Sequence, residues 1–299
     1  MATPQTGIFA LGTMSHAYLE LDERPGADPR ELVRLVASLR EPRTTIGGVN
    51  LVAGFRPELW ASVAPNDSPA GLGGFNEPIH GAAGKPLPAT QHDAVVWLTG
   101  GAYDVVFDAS RGVLAALTSH ARLSNEIVGW PYHRDLDLTG FIDGTENPTL
   151  VEATDAAILE AGSPGEGGSV LLLQQWEHDA DRWEGLPPAE QEAIIGRRKL
   201  DSVELDPRPA LSHVTRTDQD RFGKIFRRNI AYGSVSTHGT TFVGFSRDRR
   251  RLDAMLDSMV GRGVEGRDRL TDFAHAVTGA YYFVPSSEAL ARFGAEPAG

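Results

Sequence analysis

The chain has 299 residues, of which 41% are hydrophobic and 23% charged, so it is long enough for two domains and has the composition of a globular protein. Its formal net charge of −12 disfavours nucleic acid or an anionic membrane as a partner, because both favour basic surfaces. The sequence contains no cysteine, which excludes disulfides and cysteine-ligated metal centres.

Neither a membrane span nor an export signal is predicted. No apolar run approaches the roughly 18–20 residues that cross a bilayer. The first six residues, Met1 to Thr6, have neither a basic region nor an apolar core, so they do not resemble a signal peptide. We therefore expect a cytoplasmic protein.

The first half of the chain carries the pattern strand, helix, strand, strand, helix, strand. Ala17, Leu19 and Leu21 alternate with more polar residues, as on a half-buried strand. Leu32, with apolar residues three, four and seven positions later, indicates an amphipathic helix that begins near Pro29. The remaining elements are predicted at 49–55 (strand), 94–99 (strand), 104–117 (helix) and 126–130 (strand).

The second half repeats this order. It predicts strands at 169–176, 224–230, 241–245 and 279–284, and helices at 188–197 and around 252–259. We interpret the apolar stripe of the last helix as core rather than as a cofactor contact; its members are Leu252, Met255, Leu256 and Met259. Each half is thus βαββαβ, which is typical of a ferredoxin-like unit with an antiparallel sheet. A Pro- and Gly-rich stretch at 65–88 is predicted as a long surface loop.

The most informative motif is a loop of nine residues, Gly140-Phe141-Ile142-Asp143-Gly144-Thr145-Glu146-Asn147-Pro148. Two glycines bracket Asp143, and glycine lets the backbone approach a bound group closely. The loop is therefore suited to holding Asp143 against a flat ligand. The same residues also form ordinary turns, so a connection between two domains is the alternative. We place the domain boundary here, with domains at 1–140 and 141–299.

Two further segments carry candidate site residues. Pro207 and Pro209 disfavour regular structure, so a rigid irregular segment leads into His213, one of nine histidines. His213 is the candidate for a histidine that binds a metal or cofactor. His178 is the alternative candidate, although we interpret it as part of a charged strand end. In the predicted strand 224–230, alternation sends Arg227 and Asn229 to one face and the intervening arginine to the other.

Four segments together resemble the dye-decolourising peroxidases, in particular their short bacterial branch: 138–148, 208–213, 224–229 and 278–283. The resemblance implies an α+β fold of two tandem ferredoxin-like domains, of the dimeric α+β barrel type, with one haem b per chain in the second domain. It implies an enzyme that uses hydrogen peroxide to oxidise dyes and other aromatic or small one-electron donors through an oxoferryl intermediate. Homo-oligomers are also implied. A haem carrier, a haem sensor or a protein that releases iron from haem is the alternative function.

The resemblance also implies roles for individual residues. His213 matches the iron ligand, Asp143 the acid–base group and Arg227 the cation that stabilises developing charge, with Asn229 beside Arg227 as a further catalytic residue in the pocket. The haem edge is expected to contact Glu146, Asn147 and Pro148. Three further expectations are a propionate partner in Arg197, a distal wall residue in Phe245, and Asp272 as the hydrogen-bond acceptor of His213. We interpret Asp268, between two arginines, as a salt-bridged surface residue.

Overall fold

The computed structural model describes residues 2–39, 48–81 and 84–294. Its strands are β1 (Ser15–Glu23), β2 (Asn50–Phe55), β3 (Ala94–Gly100), β4 (Ala121–Trp130), β5 (Ser169–His178), β6 (Phe226–Arg227), β7 (Ile230–Gly233), β8 (His238–Ser246), β9 (Ala274–Ala276) and β10 (Ala280–Val284). Its α-helices are α1 (Pro29–Ser38), α2 (Pro57–Val63), α3 (Tyr103–Leu117), α4 (Leu150–Ala157), α5 (Ala180–Glu184), α6 (Pro188–Ile195), α7 (His213–Arg216), α8 (Gln219–Phe222), α9 (Arg249–Val260) and α10 (Ser287–Gly294). Short 3₁₀ turns occupy Thr6–Phe9, Pro65–Asp67 and Arg269–Asp272.

All ten strands join one antiparallel sheet that closes into a barrel. The order β6-β8-β7-β4-β1-β3-β2-β10-β5-β9 is closed by pairing of β5 with β8, from Val170 opposite Ser246 to Glu177 opposite Gly239. Strands β6 and β7 follow one another along one edge of β8, and β10 and β9 do so along one edge of β5. The two halves of the chain therefore share a single sheet, joined where β4 meets β7 and β2 meets β10.

Apolar side chains fill the barrel and also cover its outside. Strands from both halves contribute to the interior cluster, which includes Tyr18, Trp97 and Phe245. Helices α1, α2 and α3 pack on the outer face of the first half, with α10 beside them. Helix α9 packs on the outer face of the second half through its apolar stripe. The predicted periodicity of α1 and α9 is thus confirmed by the faces they bury.

Strand β1 differs from the half-buried strand that we expected. His16, Tyr18 and Glu20 are as buried as the apolar residues between them, because one face of β1 points into the barrel and the other packs against helices. The buried carboxylate of Glu20 is hydrogen-bonded by Tyr282 Oη at 2.6 Å and by Asn125 Nδ2 at 2.7 Å. Alternation of polarity cannot reveal burial of this kind, since the partners come from distant strands.

Two other expectations need correction. The strand predicted at 224–230 is interrupted, because β6 ends at Arg227 and β7 begins at Ile230. The stretch 65–88, whose residues 82 and 83 lie outside the described part of the chain, is packed rather than purely superficial. Its Phe75 and Leu87 are buried in the cluster beneath α9, and Phe75 stacks on Tyr281 with ring centroids 5.5 Å apart.

Candidate active site

A cavity of about 1210 Å³, including its open mouth, lies between the outer face of β5 and β8 and helix α9. Strand alternation sends Leu172, Gln174 and Trp176 of β5 to this face, whereas Leu171 and Leu173 point into the barrel. The stripe of α9 forms another wall: Leu252, Met255, Leu256 and Met259. The stripe is core, as predicted, but it also lines this cavity, which we did not expect.

The loop that follows β4 places Asp143 at the cavity. The Asp143 N–H donates to the Asp135 carbonyl at 2.7 Å, and Asp143 Oδ1 accepts the Gly144 N–H at 2.7 Å. Gly140 and Gly144 have φ angles of +83° and +74°, in the left-handed region where side chains cost energy. The glycines of the motif are thus required by the backbone path that holds the Asp143 carboxylate.

Arg227 and Asn229 reach the same cavity from the segment that includes β6. Asn147 fixes that segment, because its side chain accepts the Arg227 N–H and donates to the Arg227 carbonyl, both at 2.9 Å. A guanidinium nitrogen of Arg227 lies 4.0 Å from Asp143 Oδ1, and its Nε is buried without a hydrogen-bond partner among the described residues. Asn229 Oδ1 accepts the Val243 N–H at 3.1 Å, which leaves its amide N–H₂ group available.

Arg228 points away from the cavity that contains its two neighbours, as the predicted alternation required. It is buried, donates to the carbonyls of Ile8 and Ala10 at 2.9 and 2.7 Å, and lies over the Trp97 ring at 5.0 Å. The adjacent arginines therefore have separate tasks, one at the cavity and one tying the N-terminal segment to the barrel.

His213 is the first residue of α7 and lines the cavity. Its Nδ1 lies 2.6 Å from Oδ2 of Asp268, which is 0% exposed. Burial lowers the pKa of His213, but the Asp268 carboxylate raises it by more, so the net pKa lies above the usual value. With Nδ1 committed to Asp268, Nε2 is the ring nitrogen free to bind a ligand.

The prediction that Asp272 is the hydrogen-bond partner of His213 is wrong, because Asp268 holds that position. The interpretation of Asp268 as a surface residue is therefore also wrong. Asp272 is exposed at the end of a 3₁₀ turn. Asp268 precedes the same turn and caps it, accepting the Leu270 N–H at 2.9 Å through Oδ1. Its two flanking arginines point to other partners, since Arg267 donates to Thr271 Oγ1 and Arg269 to Glu190.

His178 also lines the cavity, so its interpretation as a charged strand end was incomplete. Its Nε2 lies 3.2 Å from Thr240 Oγ1, and burial lowers its pKa to about 4. Unlike His213, it has no carboxylate partner among the described residues.

The remaining site candidates divide into two groups. Glu146 and Arg197 line the cavity and bind each other at 2.9 Å, and Arg197 also binds Glu204 at 2.6 Å. Asn147, Pro148 and Phe245 do not line it, although Asn147 lines the second cavity described below. Phe245 points into the barrel and stacks on Trp97 with ring centroids 6.0 Å apart, because its position on β8 faces inward. The expected wall position is occupied by Phe242 of the same strand.

A further carboxylate in the cavity, Asp137, was missed by the sequence analysis. Burial, with a further contribution from Asp143, raises the pKa of Asp137 to about 6. Its Oδ1 accepts the Thr139 N–H at 2.6 Å and the Thr139 hydroxyl. An Asp-x-Thr turn six residues before Asp143 was the available signal, but a turn of this kind does not by itself indicate a cavity.

A second cavity of about 1140 Å³, including its open mouth, meets the first at the polar residues just described. Asp137, Asp143, Arg227 and Asn229 line both cavities. The outer walls come from the N-terminal segment around Leu11 and from the loop around Tyr132. Titratable groups with a perturbed pKa that converge in a partly apolar cavity are typical of an enzyme active site.

The structure is a mixed α and β fold with a closed antiparallel sheet, and its cavity has the character of an enzyme active site. Comparison with known proteins gives the family. Residues 134–289 match the family model described as Dyp-type peroxidase, C-terminal. The dye-decolorizing peroxidase of Mycolicibacterium paratuberculosis is 34% identical over 269 residues, which cover 87% of this chain and 74% of that protein. That of Rhodococcus erythropolis is 34% identical over 83% of this chain and 75% of its own.

Solved structures are similar over nearly the whole chain. A variant of DypB from Rhodococcus jostii, in complex with heme, has a TM-score of 0.86 and 33% identity, covering 98% of both chains. The dye-decolorizing peroxidase of Bacteroides thetaiotaomicron has a TM-score of 0.89 and 25% identity, covering 98% of this chain and 99% of its own. The chain belongs to the dye-decolourising peroxidase family, and it is an enzyme of the peroxidase class.

Proposed function

We propose that this peroxidase binds one haem b in the cavity lined by His213, Asp143 and Arg227, and uses hydrogen peroxide to oxidise dyes and other aromatic or small one-electron donors. The observation that carries the proposal is the meeting of these three side chains in one cavity with an apolar wall. A carboxylate-bonded histidine, an acid–base group and a fixed cation are the side chains that this chemistry requires.

The residues present fit a haem. A flat apolar macrocycle suits walls of leucine, methionine, phenylalanine and tryptophan. The buried Nε atoms of Arg227 and Arg197 and Nε2 of Gln174 have no hydrogen-bond partner among the described residues, so polar groups of a ligand would satisfy them. When bound, haem supplies the redox-active iron at which peroxide is reduced, with His213 as its protein ligand.

The surrounding side chains have separate roles in this proposal. Asp268 holds the His213 ring in one orientation and keeps its proton on Nδ1, which makes Nε2 a more basic ligand. Asp143 moves a proton between the two peroxide oxygens. Arg227 and the Asn229 amide stabilise the negative charge that develops as the O–O bond breaks. Arg197, held by Glu146 and Glu204, is the proposed partner of a haem carboxylate.

The finer fold expectation is also part of the proposal. We infer two tandem ferredoxin-like units, 1–140 and 141–299, with the haem held by the second. In support, the first half follows the order βαββαβ as β1–α1–β2–β3–α3–β4 when the short helix α2 is set aside. The second half follows it as β5–α6–β6/β7–β8–α9–β10 when α5, α7, α8 and β9 are set aside. The residues that line the first cavity lie beyond residue 140, apart from Asp137 and Thr139 at its border.

Location and assembly stay predictions from the sequence: a cytoplasmic homo-oligomer without nucleic-acid or membrane partners. Within the described ranges, no helix is both long and apolar enough to cross a bilayer. A carrier, a sensor or an iron-releasing protein has no separate observation in its favour.

The proposal is tested by titrating the haem-free protein with haem and then measuring oxidation of an anthraquinone dye with and without hydrogen peroxide. We expect uptake of one haem per chain and dye oxidation that requires both haem and peroxide. Haem uptake without peroxide-dependent oxidation would instead favour a carrier or sensor.

A further inference from the structure

A peroxidase reaction consumes protons as well as electrons. Reducing one hydrogen peroxide to two waters takes up two electrons, which the donor supplies, and two protons, which reach the site from the donor or from solvent. Part of the wall of the first cavity is apolar, so protons reach its polar residues through titratable groups or water. The second cavity, which opens to solvent and meets the first at Asp137 and Asp143, is such a route.

Asp137 is held at that junction by its own loop. Its N–H donates to the Phe141 carbonyl and its carbonyl accepts the Gly140 N–H, both at 3.0 Å. The two hydrogen bonds from Thr139 go to Oδ1, whereas Oδ2 has no hydrogen-bond partner in the described part of the chain. One carboxyl oxygen is therefore fixed, and the other is available to exchange a proton at the junction.

We propose that Asp137 is a positioning residue for proton transfer: it passes protons from the second cavity to the Asp143 carboxylate. This inference rests on the proposed peroxidase function. In the transfer, the O–H bond of the Asp137 carboxylic acid breaks and an O–H bond forms on Asp143, directly or through water. Asp137 then regains a proton from water that enters by the second cavity. No electron moves, and only O–H bonds are exchanged.

The charges around Asp137 suit this role. Burial and Asp143 raise its pKa, Thr139 and His213 lower it, and the net pKa is about 6. At pH 7 such a group is protonated roughly 10% of the time, compared with well under 1% for an ordinary aspartate. Other titratable or charged side chains also line the two cavities: Arg227, His178, Arg197 and Glu146 in the first, and His16, Tyr132, Arg134, Asp135 and Arg228 in the second.

The test compares Asp137→Asn with wild type in two measurements. Infrared titration of the haem-free proteins should show a protonated carboxyl band with a midpoint near pH 6 in wild type that the variant lacks. In the haem-loaded proteins, the variant should bind haem with an unchanged spectrum. Its peroxide-dependent oxidation rate should fall about tenfold or more near neutral pH and lose the inflection near pH 6.

Two further variants keep the test decisive. Asp155→Asn removes the same charge from an exposed position on α4 and should match wild type in both measurements. Asp137→Ala should be slow like Asp137→Asn, and added formate should restore part of its rate by replacing the missing carboxyl group.

The outcomes separate the two proposals. An active wild type whose rate and pH profile are unchanged by Asp137→Asn would overturn the role of Asp137 and leave the peroxidase function standing. A band with its midpoint near pH 6 that is as strong in the variant as in wild type would also overturn it. A wild type that binds haem but oxidises no donor would refute the proposed function, and the inference would fall with it.

Discussion

Nδ1 of His213 lies 2.6 Å from Oδ2 of Asp268, a carboxylate that is 0% exposed. A buried charge is stable only when it is paired, and here the imidazole N–H and the Leu270 N–H together satisfy the carboxylate. In a haem complex, the hydrogen bond to Asp268 would make the His213 imidazole a more electron-rich ligand, which would stabilise oxidised iron.

Replacing Asp268 with asparagine should therefore raise the reduction potential of the bound haem iron. The amide preserves the shape and the cap at Leu270 but removes the charge. Outer partners of metal ligands affect binding by about 10–100-fold, which for a one-electron couple corresponds to a rise of roughly 60–120 mV. Spectroelectrochemistry measures it, with Asp272→Asn at the exposed end of the same turn as control. Equal potentials in all three proteins would show that the Asp268 charge does not act on the iron.

The distal assignment predicts slow chemistry without loss of haem. Asp143→Ala and Arg227→Ala should each lower the rate of peroxide-driven oxidation by about 10²–10³-fold, because one removes the proton carrier and the other the fixed cation. Haem binding, followed by absorbance titration, should persist in both. Full oxidation rates in both variants would disprove the assignment.

Arg228 should behave in the opposite way to its neighbour. Arg228→Ala removes the donor to the Ile8 and Ala10 carbonyls and the contact with Trp97, so it should lower the free energy of unfolding by about 2–4 kcal/mol. Urea denaturation of the haem-free protein measures this, and Arg227→Ala is the matched control with a smaller expected loss. A stable Arg228→Ala protein with a catalytic defect would contradict the division of tasks between the two arginines.

Asp137 should make the stability of the haem-free protein depend on pH. Its pKa is about 6 when folded and 3.8 by the reference value, so proton binding favours the folded state. That stabilisation is complete below about pH 3.8 and is lost as the pH rises through 6. Asp137→Asn should therefore match wild type near pH 4 and exceed its unfolding free energy by about 1–3 kcal/mol at pH 8. Denaturant melts at both pH values measure the difference, and a constant offset would contradict the raised pKa.

Local sequence patterns predicted the features that depend on residues close together in the chain. The stripe of α9 and the facing of Arg227 and Asn229 followed from periodicity, and the path through Gly140 and Gly144 followed from glycine geometry. Distant partners decided the rest. Asp268 and Asp272 lie four positions apart in the chain. Which of them accepts the hydrogen bond of His213 depends on how the turn packs against His213.

Short helices and long-range strand pairings were also not predicted from the sequence. Helix α4, with eight residues, begins at a capping box formed by Thr149 and Glu152, a signal that we overlooked beside the Asp143 loop. Helix α2 has only seven residues, too few for a clear periodicity. Closure of the sheet between β5 and β8 depends on pairing across some seventy residues, which no local pattern encodes.

The most direct measurement is the visible absorption spectrum of the haem-loaded protein, before and after one equivalent of hydrogen peroxide, for wild type and His213→Ala. We expect a Soret band in wild type that shifts rapidly with peroxide, and altered or absent haem binding in the variant. Identical spectra and identical peroxide responses in the two proteins would contradict His213 as the iron ligand. Failure of wild type to take up haem would contradict the proposed site as a whole.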